Sequence, residues 1–296
     1  MIEVFKAILN VDQIRAKCEQ LDAKHFEIQL LEDNIDNAGD LITKLSICLP
    51  YMEDVVSVHT ALTTNYAMLP GGNCDLHNLE NTVTYRTLED AAVVAQVCSS
   101  NYNHQVAVVI HNSLSYNSFM ICNSLREEII RLLRKVLTRY PNVDLWIENV
   151  TPICDEERIY FRDGVLDDAV YIAEYLSRIF GNRVYTVFDT CHAITTDRII
   201  KGNLGKDVLD DLFTKYSDSC REVHFSNVIN LGYNKGEHGC GFTDKDYELF
   251  DYLMRNITSN FRRAHLCYEI YEDDYMNNVN VKETKRMVHE WLSKHK

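Results

Sequence analysis

No two of the ten cysteines, at positions 18, 48, 74, 98, 122, 154, 191, 220, 240 and 267, are close enough to form a CxxC pair. That excludes a zinc knuckle. No hydrophobic leader follows the opening "MIEVFKAILN", so the scattered thiols are expected to be small buried residues in a reducing cytoplasm rather than a disulfide framework. No apolar run approaches the roughly 18 residues of a membrane span. The reading is a soluble, cytoplasmic protein.

Positive charge is in the minority, with 30 Lys and Arg against 44 Asp and Glu, a formal balance of −14. A broad basic surface for tight, non-specific nucleic-acid binding is therefore disfavoured, while a local basic rim around a phosphate-attracting metal site remains possible. The only Gly-Gly pair lies in the polar stretch "TTNYAMLPGGNCDLHN" (63–78), and the first turn, "ILNVDQ", has no glycine. A dinucleotide-binding open sheet would usually carry one there. Low-complexity linkers and charge blocks are absent as well, so the 296 residues, 46% of them hydrophobic, are read as one domain over 1–296.

What is present is an alternation of short β-branched runs and longer amphipathic stretches. Strands are expected at 4–9, 25–30, 55–62, 106–113, 143–150, 184–190, 221–228 and 264–271. Helices are expected over 11–21, 38–47, 85–101, 125–140, 165–180 and 206–216, with another closing the chain. The clearest is 125–140, where Leu125, Ile129, Leu132, Leu133 and Val136 share one face. Eight strands with right-handed helical crossovers predict an α/β fold, a single (β/α)8 TIM barrel.

In such a barrel the reacting groups sit at the carboxyl ends of the strands. Those ends carry His59, His111, Glu148, Asp189 with His192, His224 and Glu269, spaced 35 to 52 residues apart, which is one βα unit each. A lone histidine at a strand end is usually structural, and Asp189 could simply cap the following helix. Six consecutive strands ending in ligand-type residues point instead to a shared site. Mixed imidazole and carboxylate ligands suit zinc, manganese or iron, and three partly buried carboxylates need a cation or a shared proton.

The strings "VSVHTA", "VVIHNS", "WIENV", "VFDTCHA", "VHFSN" and "CYEIY" resemble, in order and spacing, the metal-bearing strands of the endonuclease IV-like branch of the xylose isomerase-like barrels. The likeness runs from about residue 55 to 270, and "DTCHA" is its most specific part. In endonuclease IV, three zinc ions hold the phosphate of an abasic DNA strand for attack by hydroxide. The resemblance thus implies His59, His111 and Glu148 at one metal, and Glu148 bridging to a second held by Asp189, His224 and Glu269. His192 and His238 would face a third. The family's aspartate before that last histidine is replaced by Gly236, leaving Glu237 as a possible ligand, and its "ND" after strand seven is here Ser226-Asn227.

Sugar isomerases and epimerases share the barrel and need only Glu148, Asp189, His224 and Glu269 around one manganese, cobalt or magnesium ion. Glu148 and Glu269 would then be the catalytic acid and base. A binding subunit without catalysis is a third reading, against which stands the retention of every inner ligand. Arg158 and Arg162 in "TPICDEERIYFRDG", with Tyr66 and His77, are possible substrate contacts, whether the substrate is damaged DNA or a small sugar. Cys191 is expected to point into the packing beneath its turn.

Overall fold

The computed structural model describes residues 1–31, 38–61, 75–150, 154–155, 158–159, 166–201, 206–229 and 237–295. Eight parallel strands close into a barrel in chain order: β1 Glu3–Ile8, β2 His25–Gln29, β3 Asp54–His59, β4 Val106–Asn112, β5 Val143–Asn149, β6 Val184–Asp189, β7 Cys220–Phe225 and β8 His265–Tyr268. The last pairs with the first, Glu3 to Leu266 through Phe5 to Tyr268. All eight expected strands are present, within a few residues of their expected ends.

The helices are α1 Val11–Leu21, α2 Ala38–Cys48, α3 Thr82–Tyr102, α4 Tyr116–Ile121, α5 Asn123–Arg139, α6 Asp168–Phe180, α7 Thr190–Lys201, α8 Lys206–Tyr216, α9 Tyr247–Asn260 and α10 Val279–Lys294. Of these, α4, α7 and α9 were not expected. None of the described helices is long and apolar enough to cross a membrane. Local chemistry sets their ends. Asn10 caps α1 by accepting from the N–H groups of Asp12 and Gln13, and Asn103 ends α3 in the left-handed conformation.

The period of two along each strand separates two cores. In β5, Leu145 and Ile147 face the helices and join the large outer core, whereas Trp146 and Glu148 face the barrel axis. Val4, Val56, Ala107, Val109, Trp146, Val187 and Cys267 make a small apolar plug inside the barrel. The inward polar residues crowd above it, toward the carboxyl ends. Register sets them side by side: Gln29 opposite His59, His111 opposite Glu148, and Asp189 opposite His224.

Two small antiparallel hairpins follow β5 and β7, Cys154–Asp155 with Arg158–Ile159 and Asn227–Ile229 with Glu237–Cys240. The second is anchored to the end of β8, because the Tyr271 N–H donates to the Gly239 carbonyl at 2.6 Å. Gly239 has φ +75°, and a Cβ there would sit 3.4 Å from the Glu269 carbonyl oxygen. The contact alone would tolerate a Cβ, and it is the positive φ that favours glycine here.

Candidate metal centre

Glu148 lies at the middle of the site, fully buried, and each of its oxygens faces two histidines. Oε2 is 2.9 Å from His59 Nε2 and 3.3 Å from His224 Nδ1; Oε1 is 3.3 Å from His192 Nδ1 and 3.5 Å from His111 Nε2. The rings of His59 and His111 meet edge to face at 4.9 Å, and those of His111 and His192 at 5.7 Å. Burial alone would raise the Glu148 carboxyl, but the charges of His224 and His111 outweigh it and hold it well below the usual carboxylate range.

Asp189 and His192 are placed by the start of α7. The Asp189 Oδ1 accepts from the His192 N–H at 2.6 Å, an N-cap contact, and Oδ2 lies 3.9 Å from His224 Nδ1. Capping and ligation, alternatives when the sequence alone is considered, are thus divided between the two oxygens of one carboxylate. Asn149 clasps the same turn, accepting from the Asp189 N–H at 2.8 Å and donating to its carbonyl at 3.1 Å. The Asn149 carbonyl accepts from His192 Nδ1 at 2.7 Å. Burial pushes Asp189 up to about 7, and Asp189 and Glu148, against burial, raise His192 to about 9.

Glu269 follows β8, and its Oε2 lies 2.7 Å from His224 Nδ1 without the geometry of a hydrogen bond. Four atoms in this centre are buried and without a hydrogen-bond partner: Glu148 Oε1, Asp189 Oδ2, His224 Nδ1 and Glu269 Oε2. One ligand atom from each of these residues lies within 4.8 Å of the others. His59 adds a second sign. Its Nδ1 donates to the Thr60 carbonyl at 2.8 Å, and burial lowers its pKa, so a neutral ring aims its Nε2 lone pair at a carboxylate oxygen. Acceptor facing acceptor at 2.9 Å requires a proton or a metal between them. The residues fit divalent ions of the zinc, manganese or iron kind.

Of the expected site residues, the structure brings together His59, His111, Glu148, Asp189, His192, His224 and Glu269. Glu237 and His238 are on the hairpin strand Glu237–Cys240, beside the end of β8, and their side chains lie outside the described residues. Arg158 opens the short strand Arg158–Ile159; its side chain, like Arg162 and Tyr66 as a whole, is also outside them. His77 is exposed on the turn Leu76–Asn78. Cys191 is fully buried, and burial pushes its thiol well above the ordinary range, consistent with a packing role.

Three charged residues not foreseen from the sequence lie in or against the centre. Lys6 on β1 pairs with Glu269 at 2.7 Å and with Glu27 on β2 at 3.1 Å. Glu222 on β7 is fully buried, and burial together with Glu27 raises it to about 8. A usable signal existed: a charged residue at an inward position of an otherwise apolar strand needs a buried partner. Lys6, Gln13, Gln29, Glu269, Tyr271 and Tyr275 line a cavity of about 430 Å³ beside the centre.

The sequence matches no protein-family model and no curated protein. Solved structures do resemble the chain. Endonuclease IV from Thermus thermophilus is 14% identical, with a TM-score of 0.57 over 99% of this chain and 100% of that one. The zinc-bound IOLI protein is 12% identical, with a TM-score of 0.60 over 99% of each chain. The 3-keto-D-glucoside 4-epimerase YcjR from E. coli is 12% identical, with a TM-score of 0.55 over 99% of each. These likenesses show the fold, a (β/α)8 barrel.

Proposed function

We propose that this xylose isomerase-like barrel is a metal-dependent phosphodiester hydrolase of the endonuclease IV type, acting on DNA at abasic or otherwise damaged sites. The observation that carries the reading is that Glu148 stands within 3.5 Å of His59 and His111, which would share one ion with it, and of His224, which with Asp189 and Glu269 would share another. A bridging carboxylate would need ligands of both ions beside it, whereas in the single-metal reading His59 and His111 would bind substrate hydroxyls.

In this reading His59, His111 and Glu148 would hold one ion, and Glu148, Asp189, His224 and Glu269 would hold another. His192 and His238, with Glu237 as a possible further ligand, would hold a third. Bound ions would supply a Lewis acid for the phosphate oxygens and a lowered pKa for water. The chain's own residues fix ligand orientation: Thr60 and Asn149 through the Nδ1 atoms of His59 and His192, and Lys6 through Glu269. Arg158, Arg162 and Tyr66 are proposed phosphate or base contacts.

One observation favours a second reading, a sugar isomerase or epimerase using Glu148 and Glu269 as acid and base around one ion. It is the cavity beside Glu269, whose size and tyrosine-bearing wall suit a small polyhydroxy ring. The test is cleavage of a duplex oligonucleotide carrying one abasic site, run beside ketose epimerisation, with wild type and His238→Ala. The proposal expects strand cleavage, reduced at least about tenfold in the variant. Epimerisation without cleavage, unaffected by the substitution, would overturn it.

A further inference from the structure

Beneath the metal centre lies a second polar layer, formed by residues two positions upstream of the inward-facing Gln29, His59 and His224: Glu27 on β2, Ser57 on β3 and Glu222 on β7, all fully buried. A register shift in β3, opposite Phe26 and Glu27, accompanies the inward position of Ser57. The Ser57 hydroxyl is 3.1 Å from Glu27 Oε2 and 3.2 Å from Glu222 Oε1. Besides Lys6, His224 touches both layers. Its Nδ1 faces Glu269, Glu148 and Asp189, while its Nε2 lies 3.2 Å from Glu27 Oε2 and 3.3 Å from Glu222 Oε1.

We infer that the Glu27–Ser57–Glu222 layer is a positioning device that keeps a proton on His224 Nε2, so that Nδ1 is the nitrogen presented to metal, and that Lys6 limits Glu269 to one metal-facing oxygen. The inference rests on the metal-centre reading above. Its physical basis is that carboxylate oxygens at 3.2–3.3 Å accept a hydrogen bond and repel a lone pair. A deprotonated Nε2 would set its lone pair against the Glu27 carboxylate, whose other oxygen is paired to Lys6. Lys6 completes the layer, its ammonium joining Glu27 Oε1 at 3.1 Å to Glu269 Oε1 at 2.7 Å, which leaves Oε2 as the atom facing His224.

A second ion is the competing explanation for the lower layer, because Glu27, Glu222, His224 and Cys267 bring ligand atoms within 4.8 Å of one another. Lys6, Ser57 and the His224 N–H already supply cation and donors to those carboxylates. Burial and the neighbouring Glu27 also keep the Cys267 thiol well above its ordinary pKa, which disfavours a thiolate ligand.

The test is nitrogen-15 NMR of the His224 ring, in the metal-free chain and after addition of zinc sulfate, with zinc affinity measured by competition against a chromophoric chelator. The expected result is a protonated Nε2 in both states and metal contact at Nδ1. For Glu222→Met, and for Glu27→Met with Glu222→Met, zinc affinity should fall about 10–100-fold. A pyridine-type Nε2 signal in the metal-free wild type, zinc contact at Nε2, or undiminished affinity in folded variants would overturn the inference. Failure of wild type to take up zinc would instead sink the proposed function, and raising the pH until the metal-free ring loses one proton shows in either case which nitrogen keeps the other.

Discussion

Removing the charge of Glu148 or of Glu269 leaves a side chain of the same shape in the same place, so the fold has little reason to respond. The chemistry has every reason to. Glu148→Gln and Glu269→Gln are each expected to lower turnover by about three orders of magnitude with an unchanged circular dichroism spectrum. Full activity in either would contradict both enzymatic readings. The histidines make a second prediction. Because His192 is held at about 9 and His224 well above its ordinary value, both carry protons at neutral pH without metal, and a protonated nitrogen cannot ligate. Metal uptake must therefore expel protons, and affinity should rise with pH until about 9. Calorimetry of zinc binding in two buffers of different ionisation enthalpy measures this, and an absence of proton release would contradict the assignment of both as ligands.

At the scale of elements, the strands divide the barrel into a polar carboxyl end and an amino end with its own titration. His265 opens β8, and burial with the neighbouring charge of His25 lowers its pKa from 6.5 to about 4. The unfolded chain therefore binds this proton first as pH falls, and the His265 contribution to stability is lost between about 6.5 and 4. Its size is on the order of 1–2 kcal/mol after allowance for partial exposure. His265→Asn should lose less stability than wild type between pH 7 and 4.5 in urea denaturation, and equal losses would contradict the assignment. The eight strands were legible because alternation of apolar residues ended each time in an ionisable one. Helix α7 was not, because it begins on the residue after Asp189 with no loop, its cap being a residue expected as a ligand. Helix α9, "YELFDYLMRNITSN", carries aromatic and β-branched residues that blur a helical pattern, though Phe250, Leu253, Met254 and Ile257 share its buried face. The lower layer went unseen for another reason: Lys6, Glu27 and Glu222 stand inside apolar strings, and attention to strand ends passes over them.

The whole molecule combines an acidic surface balance with a buried excess of carboxylates, and both bear on how it would meet a polyanion. With a formal charge of −14, long-range attraction to DNA is weak, so recognition would have to come from ions at the barrel mouth and from the rim residues around it. Metal stoichiometry therefore tests the central claim, that this barrel holds a multinuclear centre bridged by Glu148, more directly than any substrate assay. The measurement is elemental analysis of protein purified without chelator or polyhistidine tag. The account predicts two or three tightly held ions per chain, zinc foremost. A single exchangeable manganese, cobalt or magnesium ion would contradict it and favour the isomerase reading.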